Sequence, residues 1–166
     1  MDLSRQEKIL NPMDVTVPCH IIGVGATGSW LALQLFKMGI KDIRMYDFDT
    51  VEPHNVPNQL FGYNDVGTSK IEAMMKILHK QIEWDENSDN SILTSQENTF
   101  KFVTPDYQEV CGKIEKITKE NFSQLIENGY VFCLVDSMSA RKDLFECCKY
   151  NIKIKAFFVF FQHIIT

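Results

Sequence analysis

No stretch of this 166-residue chain is apolar for long enough to cross a bilayer; no apolar run is longer than Ala156 to Phe161, against the ~20 residues a spanning helix needs. The N-terminus, Met1-Asp2-Leu3-Ser4-Arg5-Gln6-Glu7, is polar and mixed in charge, unlike a secretory signal. A cytoplasmic protein without a membrane partner is therefore expected. Basic charge is in deficit. Seventeen Lys and Arg against 22 Asp and Glu leave a formal net charge of −5, so no broad nucleic-acid surface is expected, because phosphate neutralisation demands the opposite excess. Five cysteines are present without a CxxC pair, and that spacing supports neither a zinc site nor a disulfide framework. Cys19 and Cys133 fall in apolar strand patterns and read as buried hydrophobes, and the adjacent Cys147 and Cys148 as helix packing. With no internal repeat and no linker, residues 1–166 read as one domain.

What the chain does carry is a glycine-rich turn, Gly23-Val24-Gly25-Ala26-Thr27-Gly28, with Asp47 nineteen residues past the last glycine. Val15 to Ile22 reads as a buried strand and Ser29 to Met38 as a helix, which places the glycines at a strand-to-helix turn. Glycine there allows a tight turn and lets backbone N–H groups approach an anion at the helix N-terminus. A second strand, Asp42 to Tyr46, delivers Asp47 to accept hydrogen bonds from ribose hydroxyls. The pattern points to a nucleotide; a turn serving only close helix–strand packing is the alternative.

A polar loop from Asp47 to Ser69 follows, then a helix with Ile71, Met74, Met75 and Leu78 on one stripe, capped by Thr68 or Ser69. Trp84 to Asn98 reads as an exposed loop or hairpin tip, and Phe100 to Val103 as a short strand. Pro105 to Lys116 has no readable period. Phe122, Leu125 and Ile126 mark a short helix, capped near Thr118 and closed by Gly129. Tyr130 to Val135 reads as a strand ending at Asp136, Ser139 to Tyr150 as a helix with Ala140, Leu144 and Cys148 on one face, and a last strand falls within Ile152 to Phe161. Alternating helices and continuously apolar strands predict an α/β fold: Rossmann-like, doubly wound, a mainly parallel sheet with helices on both faces.

In such a sheet the ligand crevice lies beyond the carboxyl ends of the strands. Gly23, Asp47 and Asp136 all follow strands and should line it together. Asp136 can cap the next helix or, facing a triphosphate, hold Mg²⁺, whose preference for hard oxygen suits one carboxylate plus phosphates.

Asp47-Phe48-Asp49-Thr50-Val51-Glu52, then Asn55, Gln59 and Asp65-Val66-Gly67-Thr68-Ser69-Lys70, resemble the ThiF/MoeB/HesA family, bacterial relatives of the ubiquitin-activating enzymes. The likeness begins at Ser4-Arg5-Gln6, runs through the glycine loop and reaches Val135-Asp136-Ser137 and Arg141, covering about residues 4 to 156. The resemblance implies ATP-dependent adenylation of a carboxylate, with ATP and Mg²⁺ bound and a ubiquitin-like or sulfur-carrier protein ending in Gly-Gly as partner. By the same likeness Gly23, Gly25 and Gly28 contact phosphates and Asp47 and Asp49 lie on the nucleotide. Asn55, Asn58, Gln59 and Lys70 flank the triphosphate, and Asp136 binds the metal. Arg5, Lys70 and Asp136 form the catalytic set, Arg5 reaching across a homodimer.

Two departures stand beside the likeness. Asn58 occupies a position where the family commonly has arginine, and it cannot supply that charge. The family fold continues past the strand that follows Arg141, so its tail-binding strands, catalytic cysteine and zinc-binding cysteines are expected to be missing here. A catalytically weak nucleotide-binding or scaffold protein of the same fold is the rival function, and a dinucleotide or S-adenosylmethionine the rival ligand. His54 lies close enough in sequence to contact phosphate.

Overall fold

The protein is described by a computed structural model at residues 11–82 and 94–159. The chain order is β1 (Cys19–Ile22), α1 (Ala26–Lys37), β2 (Asp42–Asp47), α2 (Lys70–His79), β3 (Thr94–Gln96), β4 (Thr99–Val103), β5 (Glu109–Ile114), α3 (Phe122–Leu125), β6 (Gly129–Cys133), α4 (Met138–Cys148) and β7 (Ile154–Val159). These strands form one seven-stranded sheet in the order β3-β4-β5-β2-β1-β6-β7. From β5 to β7 every neighbouring pair is parallel, while β4 runs antiparallel to β5 and to β3. The expected doubly wound, mainly parallel sheet is the one found.

Alternation along the strands divides the interior in two. Cys19 and Ile21 of β1, Ile43 and Met45 of β2 and Val110 of β5 pack in one core with Phe36 of α1 and Ile71, Met74, Met75 and Leu78 of α2. Ile22, Tyr46, Val131 and Cys133 point the other way, toward Phe122 of α3 and Leu144 and Cys148 of α4. Each sheet face thus has its own helix layer. No helix among the described residues is long and apolar enough to cross a membrane.

Several boundaries differ from the sequence expectation, each for a local reason. Residues 15–18 are not strand: Pro18 has no N–H to give to a ladder, although its carbonyl accepts the Tyr130 N–H at 2.9 Å. The first helix begins at Ala26 rather than Ser29, so Gly28 lies inside its first turn. Ser69 caps α2, its hydroxyl accepting from the N–H groups of Ile71 and Glu72. At α3 the N-cap position is Asn121 rather than Thr118, and its side chain caps no helix amide; its Oδ1 instead accepts the N–H of the preceding Thr118 at 2.8 Å. Gly129 does not close α3; it opens β6 at φ +115°, where an added Cβ would lie 2.2 Å from the Pro18 carbonyl oxygen. The unreadable stretch holds β5, a central strand. Of the expected loop at Trp84 to Asn98, residues 94–98 supply β3 and a two-residue turn, Glu97 and Asn98, both at positive φ, and the rest lies outside the described residues. So do Arg5, Phe160 and Phe161.

Candidate functional site

Sheet order reverses at β1: β2 pairs on one side and β6 on the other. The connections leaving β1 and β6 therefore diverge and open a crevice at the carboxyl ends, the usual ligand position in open α/β sheets. The cleft there measures about 870 Å³. Gly23, Gly25, Asp47, Asp49, Asn55, Asn58, Gln59, Lys70 and Asp136 all line it. Gly28 does not; it sits under the turn.

The three glycines have different surroundings. Gly23 holds φ +94°, and a Cβ there would sit 3.0 Å from the backbone of Leu134. A Cβ on Gly28 would come within 2.0 Å of the Gly23 carbonyl oxygen. Around Gly25 no atom of the described residues lies within 4 Å of an added Cβ. The fold therefore requires the first and third glycines, while the second borders only the cleft. It is the N-cap of α1, next to the first-turn N–H groups that can receive an anion.

Asp47 is 7% exposed. Its Oδ2 accepts the Val24 N–H at 2.6 Å and its Oδ1 the Asp49 N–H at 2.9 Å, so the acid ties the glycine turn to the end of β2. Each oxygen keeps a second lone pair for a ligand hydroxyl. Burial raises this carboxyl above the ordinary carboxylate value, against the pull of the two amides and the charge of Lys70.

The loop after β2 folds back on itself. Val51 N–H donates to Thr68 O, Gly67 N–H to Val51 O, and Lys70 N–H to Asp49 O. This antiparallel return brings Lys70, the first residue of α2, under Asp49: Nζ to Oδ2 is 3.0 Å, and the lysine is 8% exposed. Asn55 is buried in a short 3-10 turn (Pro53–Asn55), where its Oδ1 accepts the Glu52 N–H at 2.9 Å. Gln59 presents a buried Oε1 with no hydrogen-bond partner among the described residues. Asn58 is exposed, and His54 faces Glu52, Nδ1 to Oε2 3.2 Å.

At the far wall, Ser137 caps α4 by accepting the Ala140 N–H at 3.3 Å. Asp136 therefore has no capping duty; it is exposed at the end of the β6 connection. Arg141 Nε donates to the Val135 carbonyl at 2.6 Å and fixes α4 against that connection. A third wall, Glu115 to Glu120, leads out of β5 and carries no pattern readable from the residues alone. There Lys116 Nζ stands 5.3 Å from the Phe48 ring centroid.

The cleft and the sheet order define a class, and the comparisons agree. The ThiF family pattern matches residues 5–157, and the chain belongs to the ThiF family. It is similar to ubiquitin-like modifier-activating enzyme 5 of Aedes aegypti, 36% identical over 140 residues, or 77% of this chain and 30% of that one. It is also similar to tRNA threonylcarbamoyladenosine dehydratase 2 of Saccharomyces cerevisiae, 29% identical over 96 residues, or 55% and 22% of the two chains. Among solved structures, E. coli tRNA N6-threonylcarbamoyladenosine dehydratase in complex with AMP superposes with a TM-score of 0.66 at 25% identity, covering 87% of this chain and 50% of that one. The same enzyme in complex with ATP gives 0.66 and 25%, covering 87% and 51%. The chain thus spans less than a third of those curated relatives and about half of the solved enzyme.

Proposed function

We propose that this chain is a single ATP-binding unit of the adenylating type, activating the C-terminal carboxylate of a ubiquitin-like or sulfur-carrier protein. The observation that carries the reading is convergence. A glycine turn at a helix N-terminus, a ribose-side acid (Asp47), a buried lysine (Lys70) and an uncommitted acid (Asp136) reach one cleft from three strand ends. The solved relatives with ATP and with AMP support a nucleotide as occupant.

In this reading a carboxylate oxygen of the substrate attacks the α-phosphorus of ATP, the bond to the β-phosphate oxygen breaks, and pyrophosphate departs with the electron pair. No base is needed, since a carboxylate is already ionised near neutrality. The obstacle is repulsion between anions, which the Gly25 end of α1 and Lys70 offset as charge develops on the leaving group. Asn55 and Gln59 flank the phosphates, and Asn58 adds hydrogen bonding without charge. Asp136 would hold Mg²⁺: its carboxylate is exposed and lines the cleft, and a hard cation of this kind is commonly bound by one or two carboxylates together with phosphates. It would supply further neutralisation of the polyphosphate. Arg5 is proposed to reach the site of a second copy in a homodimer.

Calorimetry on Asp47→Ala should show ATP binding weakened by more than about tenfold, together with about 1–3 kcal/mol less stability, because two buried amides lose their acceptor. Undiminished binding would remove the ribose assignment, and tighter binding of NAD than of ATP would reassign the ligand. The decisive experiment for function is ATP–pyrophosphate exchange with ubiquitin-like proteins ending in Gly-Gly, comparing wild type with Asp136→Ala. Exchange that needs both the tail and Asp136 is the expected outcome. The dehydratase relatives make a tRNA bearing N6-threonylcarbamoyladenosine the second candidate, and exchange with that tRNA alone would select it. ATP binding with no exchange from either would favour the scaffold.

A further inference from the structure

Lys70 occupies a place that disfavours a cation twice over. It opens α2, at the positive end of the helix dipole, and its side chain is only 10% exposed, so little water solvates the ammonium. What compensates is Asp49, whose Oδ2 lies 3.0 Å from Nζ and whose carbonyl accepts the Lys70 N–H at 3.0 Å. Asp49 is itself held: its N–H donates to Asp47 Oδ1. The Asp49 side chain is 51% exposed, so water attenuates its field over the cleft while the lysine stays enclosed.

We propose that Asp49 is a positioning residue, acting on a bound nucleotide through Lys70 rather than by touching it. The chain Asp47–Asp49–Lys70 then links ribose-side recognition to phosphate-side charge, so that the lysine is aimed before the triphosphate arrives. Two effects of Asp49 oppose each other. As an anion it repels phosphate, and as a partner it holds the Lys70 ammonium in the cleft. Repulsion acts through solvent over a longer path, whereas the ion pair acts at contact on an enclosed group, so positioning outweighs screening. Removal of the carboxylate should therefore weaken triphosphate binding, the reverse of what simple charge counting gives.

The inference rests on the nucleotide reading, and the experiment separates the two. MgATP and AMP are titrated calorimetrically into the full chain as wild type, Lys70→Ala, Asp49→Asn and the double variant. Lys70→Ala should bind MgATP about 10-fold more weakly and AMP within twofold of wild type. Asp49→Asn should lose at least 5-fold for MgATP, again sparing AMP, and the double variant should match Lys70→Ala within twofold, the non-additivity expected of groups acting as a unit. Unchanged or tighter MgATP binding by Asp49→Asn overturns the proposal, leaving the carboxylate a mere counter-charge. Multiplying losses overturn it too, since they place Asp49 on the ligand, and so does an equal loss for AMP, the signature of a disturbed site. A wild type that binds neither ligand refutes the nucleotide reading itself.

Discussion

Alanine at Gly28 should unfold the protein far more readily than alanine at Gly25, while only the second change should act purely on the ligand. The new methyl at Gly28 would meet the Gly23 carbonyl oxygen at 2.0 Å, a backbone atom inside a turn that Leu134 and Val135 confine from the other side. Neither the helix nor the turn can move without dislodging Gly23 from Leu134 and Val135 and from its hydrogen bond to the Tyr46 carbonyl. Overpacking of that kind costs about 3 kcal/mol, less the gain of roughly 1 kcal/mol from alanine's helix propensity. A fall in the melting midpoint of roughly 4–8 °C follows for a domain of this size. Gly25 has a negative φ, −83°, and open space around its Cβ position among the described residues. Its alanine variant should melt within a degree or two of wild type yet bind ATP at least about tenfold more weakly, because the methyl occupies the approach to the first-turn amides. Thermal melts and calorimetry on the two variants check both halves. Unimpaired binding by Gly25→Ala would move the phosphates elsewhere.

Acid should destabilise the fold through His20. This residue is fully buried on the α3 face of β1, with Nε2 2.9 Å from the Asn128 carbonyl oxygen and Nδ1 3.2 Å from the Tyr46 hydroxyl, itself 3.2 Å from Leu125 O. Burial lowers its pKa to about 4, opposed in part by the Asn128 carbonyl, with Arg44 and Asp42 acting in opposite senses. The unfolded chain therefore binds a proton before the folded one does, and stability is full above pH 6.5 and lost progressively toward pH 4. Between pH 7.5 and 5 the loss is about 2 kcal/mol. Asp47 works the other way, since its raised carboxyl favours the folded state as pH falls. The informative quantity is thus the difference between wild type and His20→Gln in urea midpoint at the two pH values. Parallel pH profiles for the two proteins would exonerate His20.

Much of this organisation was legible from residue patterns because the relevant signals are local. The glycine turn, Asp47 and Asp136 are read from their offsets to strands, and Ile71, Met74, Met75 and Leu78 from helical spacing. β5 escaped for a tertiary reason. Its central position is Gly112, because Ile71 and Met75 of α2 press onto the sheet there and a Cβ would lie 2.7 Å from the isoleucine. The residue most diagnostic of a core strand is thus replaced by one that signals a turn, and the polar faces of Glu109 and Lys113 hide the alternation further. The third wall of the cleft, which continues from β5, was lost with it. Lys70 was expected to flank the phosphates and to act in catalysis; its burial under Asp49 depends on the folded-back loop at residues 47–70, which has no period to read.

The placement of β5 also bears on how the chain assembles. Ile43 of β2 must wait for Val110, and Cys19 of β1 for Tyr130, before the sheet interior closes. Until residue 109 has left the ribosome, β2 presents a bare hydrogen-bonding edge, with α1 and α2 available to shield its apolar face. Such late, long-range pairing slows folding and prolongs the interval in which another nascent chain can add to that edge. Chaperone demand during synthesis should therefore be set by the stretch between His79 and Glu109 rather than by the glycine turn.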